Sequence, residues 1–344
     1  MKYLLSLLLG VLLLGTAAAC SSGSGNTPDF SAAATQGGTS SAVSAGEESL
    51  TEESSPSVPA EPLVEETLTT LSLPYSETRN VTVRVFVPAH QENETLPVIY
   101  MPDGQNLFES EITRFGSWNV HKAVRAEQEL TGRAAIIVGI HNDGSAEERT
   151  NDLTPLSIGA LDVPAEDEMT EIEKQQMALF QPAGEVFDAF VVNTVMPAVE
   201  EQFPVKKGRE HTAFCGSSSG GLQAFYTTMT HPDRFSYGGM FSPALMYYIR
   251  DDLDQWTRDK AAQAKDKPFL FWYVGGGDQQ ERLLTDYVDH TCEVLLDCYP
   301  AERIKKVQDE DQPHHESAWG EYFADFLHLF LESSVQAGDT ASRS

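Results

Sequence analysis

The sequence predicts an α/β fold: a mostly parallel, doubly wound sheet with helices on both faces and an antiparallel hairpin at the N-terminal end. Three observations carry this. Leu96–Met101 and Ala134–Ile140 are short continuous apolar runs, the pattern of strands buried on both faces. Helix-like stretches separate such runs along the chain. Ahead of them, Val81, Val83, Val85 and Val87 fall at period two within Asn80–Val87, which with Thr67–Leu73 reads as a hairpin at a sheet edge.

The other elements follow in order. Trp118–Leu130 is the first helix. Gly184–Gln202 is the next, with Phe187, Phe190, Val191, Val195, Ala198 and Val199 on one face. His211–Cys215 is a strand, Leu222–Met229 a helix and Tyr237–Phe241 a strand. Lys267–Val274 is another strand, Glu281–Leu296 a helix, and Arg303–Gln308 the last strand. Ala318–Glu332 closes the domain as an amphipathic helix. Between 142 and 181 the pattern breaks down into an acidic, irregular stretch. A connection this long is usually functional or disordered. It reads either as a partial lid or as a plain surface excursion.

Residues 1–19 look like a signal peptide: Lys2, an apolar run from Leu4 to Leu14, then small residues up to Cys20. Two cleavages fit. Small residues before Cys20 resemble a lipoprotein signal that leaves a lipidated Cys20, although Ala17 stands where Leu is usual. Ala17–Ala19 also satisfies an ordinary A-x-A site. Either way the protein is expected outside the cytoplasm, in the bacterial envelope or secreted. Residues 20–65 are rich in Ser, Gly, Ala, Thr, Pro and Glu, the composition of a flexible tether. The folded domain is expected over 66–334, with a flexible tail at 335–344.

The chain carries 52 acidic and 23 basic residues, a net charge of −29. Up to Glu65 there are seven acids and one base, which accounts for only six of those charges. The folded domain is therefore strongly acidic. That argues against nucleic acid and against anionic membrane as partners, leaving the lipid anchor as the one expected membrane contact. Cys215 ends a strand and reads as a small core residue. Cys292 and Cys298 could bridge only if the helix ends between them, since six residues of helix rise about 9 Å. No Cys/His spacing suggests zinc, and no metal or cofactor is expected.

The most informative stretch is Gly216-Ser-Ser-Ser-Gly220, a G-x-S-x-G pattern between a strand and a helix. A serine nucleophile on a sharp strand-to-helix turn needs small residues two positions to either side. Ser218 is the central residue. A serine hydroxyl needs a base to take its proton, and the base needs a third group to hold its tautomer. In this arrangement the order along the chain is Ser, then Asp or Glu, then His. Asp278 follows a strand through Gly275-Gly-Gly277, and His314 and His315 follow the last strand. Glu281 and Asp286 are weaker acids on this reading, because they already belong to a helix. His231 and His290 fall at helix ends or surfaces. His141, nearer a strand end, is kept as a pocket residue.

Val98-Ile-Tyr-Met-Pro-Asp-Gly-Gln-Asn-Leu-Phe108, Cys215-Gly-Ser-Ser-Ser-Gly-Gly221, Phe241-Ser-Pro243 and His314-His-Glu-Ser-Ala-Trp319 together resemble the putative esterase family of α/β-hydrolases. That family includes esterase D-like, enterochelin (siderophore) and feruloyl esterases. The resemblance covers nearly all of the chain beyond the leader. It implies an α/β-hydrolase fold and a tail motif of the form His-x-Glu-x-x-Trp whose first His is catalytic, selecting His314. The family's acid follows a Gly-rich turn, which aligns Asp278 with it, Asp standing where Glu is usual. Arg149-Thr-Asn-Asp-Leu-Thr-Pro155 resembles a family segment near the substrate. The oxyanion donors expected are the backbone N–H groups of Ser219 and, by resemblance, Gln105. Asn106, Phe108, Trp118 and Trp319 are candidate pocket residues.

The resulting expectation is a serine carboxylic-ester hydrolase working through an acyl-enzyme on a small-molecule or carbohydrate ester, a siderophore ester included. Two alternatives stand beside it: a non-catalytic binding lipoprotein that keeps the fold, and acyl transfer by the same residues.

Overall fold

The computed structural model describes residues 63–108, 116–142 and 145–341. The signal peptide, Cys20 and nearly all of the tether lie outside the described residues.

A two-residue pair, β1 (Leu63–Val64) with β4 (His90–Gln91), flanks the N-terminal hairpin of β2 (Thr67–Pro74) and β3 (Asn80–Val87). The first strand thus lies slightly before the expected residue 66. Then come β5 (Val98–Pro102), α1 (Val120–Thr131), β6 (Ile136–Ile140), α2 (Ala146–Asp152) and α3 (Glu171–Leu179). The long predicted helix is α4 (Gly184–Phe190) running through a π-helical turn (Val191–Val195) into α5 (Met196–Gln202). The rest is β7 (Thr212–Ser217), α6 (Ser219–Thr230), β8 (Tyr237–Phe241), α7 (Arg250–Gln263), β9 (Phe269–Val274), α8 (Gln279–Cys298), β10 (Ile304–Gln308) and α9 (Glu316–Ala341).

Eight strands form the main sheet in the order β10-β9-β8-β7-β5-β6-β3-β2. All pairings are parallel except those of β3 with β6 and with β2. Successive strand residues alternate between two apolar layers, as the pleat requires. Val98, Tyr100, Ile136, Val138, Leu270 and Trp272 pack with residues of α4 to α8. Ile99, Met101, Ile137, Phe271 and Tyr273 face α1 and α9. The doubly wound expectation therefore holds, with unequal helical layers.

The tail boundary needs correction, and two further points are open or unread in the sequence. The last helix continues to Ala341, past the boundary drawn at 334, and Ser334 is buried against His211. Helix α7 was not predicted, because Leu253, Trp256 and Ala261 are its only buried apolar residues among many charges. Cys292 and Cys298 are both free, because α8 continues unbroken through Cys298. Cys215 is fully buried, as expected, and burial pushes its thiol well above the ordinary range.

The excursion after β6 is docked rather than free. Tyr248 Oη donates to Pro155 C=O, Ile249 N–H to Ala160 C=O, and Asp162 N–H to Tyr247 C=O. Ala183 N–H and Gly184 N–H donate to Asn151 and Thr154 C=O. These bonds hold residues 151–162 against the body of the domain.

With no disulfide among Cys215, Cys292 and Cys298, a reducing agent is expected to leave the thermal midpoint unchanged. Thiol titration of the denatured domain should find all three free.

Candidate active site

The site is built at the carboxyl ends of the central strands, where open α/β sheets place their ligands. Ser218 stands between β7 and α6 at φ 56°, ψ −125°, a conformation an L-residue adopts only under constraint. Its N–H donates to Phe241 C=O, and its own C=O accepts from Leu222 and Ala244 N–H. The flanking glycines are required by space. A Cβ on Gly216 would stand 2.4 Å from the Gly220 carbonyl oxygen, and one on Gly220 2.9 Å from the Pro102 ring. Ser217 and Ser219 are buried while Ser218 is partly open, so only the central serine of the three is presented. The Ser219 N–H, first in α6, has no intrahelical acceptor and is available to an anion.

Opposite this turn lies the loop after β5. Asp103 adopts a left-handed conformation (φ 57°), and Gly104–Asn106 make one 3-10 turn. Its side chains are tied down on every side. Arg149 grips Asp103 through two bonds, Nε to Oδ1 at 2.6 Å and an Nη to Oδ2 at 2.7 Å. Asp103 N–H donates to Asn142 Oδ1, and Asn142 N–H donates back to Gln105 Oε1. Burial opposes the charge on Arg149, but Asp103 beside it overrides that and raises its pKa. These bonds place the Arg149 segment against the loop after β5.

His314, the histidine expected from the tail motif, does not meet the expected carboxylate. His314 Nδ1 lies 2.6 Å from Glu281 Oε1. Glu281 is fully buried, and its Oε2 accepts from Gly275 N–H at 2.7 Å and from Ser242 Oγ at 2.9 Å. Asp278 caps α8 instead: Oδ1 accepts from Glu281 N–H and Oδ2 from His314 N–H, both at 2.8 Å. Burial works to raise the Asp278 pKa, yet the N–H groups of His314 and Glu281 hold the carboxyl below the ordinary aspartate value. The assignment of Asp278 as the acid is therefore corrected. It shapes the turn, while Glu281, one helical turn further on, meets the imidazole. His315 is exposed and bonded to Ser317, so His314 is the inward-facing one of the pair.

Trp319 lies edge-on to His314, ring centroids 4.8 Å apart, and its Nε1 donates to Ser242 Oγ. Ser242 directly follows Phe241, whose carbonyl holds Ser218. A continuous set of contacts thus joins the serine turn to the histidine and its acid. Trp118 and Phe108 are buried in the apolar layer beneath α1 and α9 and serve as packing. Asn106 is half-buried and donates to Glu316 Oε1 at 3.1 Å. His141 follows β6, separated from β7 by β5, with its N–H on Thr82 C=O. Ser242 and Glu316 were not singled out by sequence reasoning, and Glu281 was weighed only as a weaker acid.

A Glu-held imidazole, a serine at a strained strand-to-helix turn and two N–H-bearing turns are what acyl transfer requires. The sequence profile of the putative esterase family matches residues 76–320. The chain belongs to this family. This putative esterase is thereby a carboxylic ester hydrolase. It is 27% identical over 225 residues to the siderophore triacetylfusarinine C esterase of Aspergillus fumigatus, covering 60% of this chain and 68% of that one. Among solved structures it resembles the siderophore hydrolase EstA from Aspergillus nidulans (20% identity, TM-score 0.58, 77% of this chain and 94% of that chain). It also resembles the enterobactin esterase FES from Shigella flexneri (18% identity, TM-score 0.57, 81% of this chain and 60% of that one). Those structural likenesses bear on the fold alone.

Two substitutions separate the carboxylates. Glu281→Ala is expected to lower kcat of the esterase about 10³–10⁴-fold, the scale seen when a triad acid is lost. Asp278→Ala is expected to cost about 1 kcal/mol of stability, as loss of an N-cap does, with a much smaller effect on kcat. Steady-state kinetics with thermal melts on both variants checks this, and the reverse ranking would return the acid to Asp278.

Proposed function

We propose that the protein is an exported serine esterase in which Ser218 attacks the ester, His314 moves the proton and Glu281 orients the imidazole. The observation that carries this reading is the His314–Glu281 bond. With Nδ1–H directed at a buried carboxylate, Nε2 is left as the basic nitrogen. Ser218 Oγ adds to the ester carbonyl carbon as its proton passes to His314 Nε2. The carbonyl oxygen becomes an oxyanion, accepting from the N–H groups of Ser219 and Gln105. Collapse expels the alcohol, which takes the proton from His314, and leaves an acyl-Ser218 ester. Water, deprotonated by the same nitrogen, then releases the acid and restores the serine.

Siderophore esters are the substrate class favoured here, on the likeness to the Aspergillus fumigatus esterase. The signal-like Met1–Cys20 segment supports export with a lipidated Cys20.

Ser218→Ala is expected to abolish turnover of short p-nitrophenyl esters and labelling by a fluorophosphonate, while the thermal midpoint stays near that of the parent. Retained turnover would remove Ser218 from the mechanism. Metabolic palmitate labelling that disappears in Cys20→Ser tests the anchor.

A further inference from the structure

We propose that Glu316 is a positioning residue of this esterase, whose carboxyl group, bonded to Asn106, couples the start of α9 to the loop that supplies the oxyanion donor. The inference rests on the roles given above to Ser218, His314 and Gln105. Glu316 is the first residue of α9, two positions after His314, and is 7% exposed. Asn106 Nδ2 donates to its Oε1 across 210 positions of sequence. Among the described residues no other residue's hydrogen bond reaches this carboxyl group. Asn106 directly follows Gln105, and its backbone is committed on both sides: its N–H to Asp103 C=O, and its C=O to Trp118 N–H. Its side chain is therefore what ties the 103–106 turn to the segment that carries the histidine.

The charge on Glu316 matters as much as its position. Burial is the largest influence and raises its pKa to about 7; Asp103 raises it further, while its own N–H, Arg149 and Asn106 oppose. The charged or titratable groups facing it are Asp103 from the loop after β5 and Arg149 from α2, with His314 and His315 on its own segment. Arg149 is already engaged by Asp103. Protonated, Glu316 accepts the Asn106 bond and adds no charge. Ionised, it places a negative charge next to the loop that must stabilise a forming oxyanion, which raises the transition state. The neutral form is the productive one.

The test is kcat and KM for p-nitrophenyl acetate from about pH 5.5 to 9 in the parent, Glu316→Gln, Glu316→Ala, Asn106→Ala and the double alanine variant. Each single alanine is expected to lower kcat about 10- to 100-fold with KM changed less than about threefold, the mark of a displaced transition-state donor. The double variant should be no worse than the singles, since both break one link. Glu316→Gln should restore most of the rate, because its amide oxygen still accepts from Asn106. Its kcat should also lack the fall that the parent shows as pH rises through about 7. Parental kcat in Glu316→Ala, additive losses in the double variant, or an unchanged alkaline fall in Glu316→Gln would overturn the inference. An inert Ser218→Ala beside a fully active Glu316→Ala overturns this inference alone; an active Ser218→Ala overturns the reading beneath it.

Discussion

The site depends on one buried carboxylate. Glu281 is withdrawn completely from water, where an isolated charge costs several kcal/mol. Three donors offset that cost, each from a different strand end: Gly275 after β9, Ser242 after β8 and His314 after β10. The same group that orients the imidazole therefore also sets the spacing of three loops. Removing it would leave a buried N–H and a buried hydroxyl without an acceptor, which is costly in itself. Asp278 acts on the same turn from outside, holding the N–H groups of Glu281 and His314 so that the two side chains arrive together.

Backbone strain is concentrated along the same edge. Four non-glycine residues among those described have positive φ, and three directly follow a sheet strand: Asp103 after β5, Ser218 after β7 and Ser242 after β8. Each such conformation costs on the order of 1–3 kcal/mol and persists only where neighbours over-determine it. Here the neighbours are identifiable. Arg149 and Asn142 hold Asp103, Phe241 and Ala244 hold the backbone of Ser218, and Glu281 and Trp319 hold Ser242. The sharp turns present one partly open serine beside the loop after β5, and the polar network keeps them from relaxing.

Much of the fold was legible because its signals are local. Valines at period two marked β3, and the continuous apolar runs marked β5, β6 and β9, since strands between two helical layers have no polar face. The G-x-S-x-G turn was legible because its glycines are required by contacts of 2.4 and 2.9 Å that any larger residue would violate. What failed depended on where an element begins. The Gly-rich turn after β9 led to Asp278 because a loop acid was expected, and Glu281 was set aside as helical. In fact the helix starts at Gln279, and Asp-x-x-Glu from 278 to 281 is the spacing of an N-cap and its third helical residue. Helical side chains lean back toward the N-terminus, so Glu281 points down into the site rather than outward. That spacing was present in the sequence and was the signal to weigh. Helix α7 and the docking of the excursion had no such signal, because few apolar residues mark the one and long-range backbone bonds determine the other.

Charge balance explains why so many carboxylates can surround a centre that must stabilise an anion. Asp103 is bonded to Arg149, and the two together are nearly neutral. Glu281 faces His314; in the proposed mechanism His314 gains a proton as the oxyanion forms, so that pair too approaches neutrality when negative charge appears on the substrate. Glu316 is the carboxyl group left over, with an amide and no cation of its own as hydrogen-bond partner. Burial supplies what a counter-ion would otherwise supply, by shifting the group toward its neutral form. The strongly acidic domain surface is a separate matter, since exposed charges are screened within about 10 Å at ordinary ionic strength. Close to the reacting carbonyl, the buried groups set the potential, and there each carboxylate is either paired or shifted toward its neutral form.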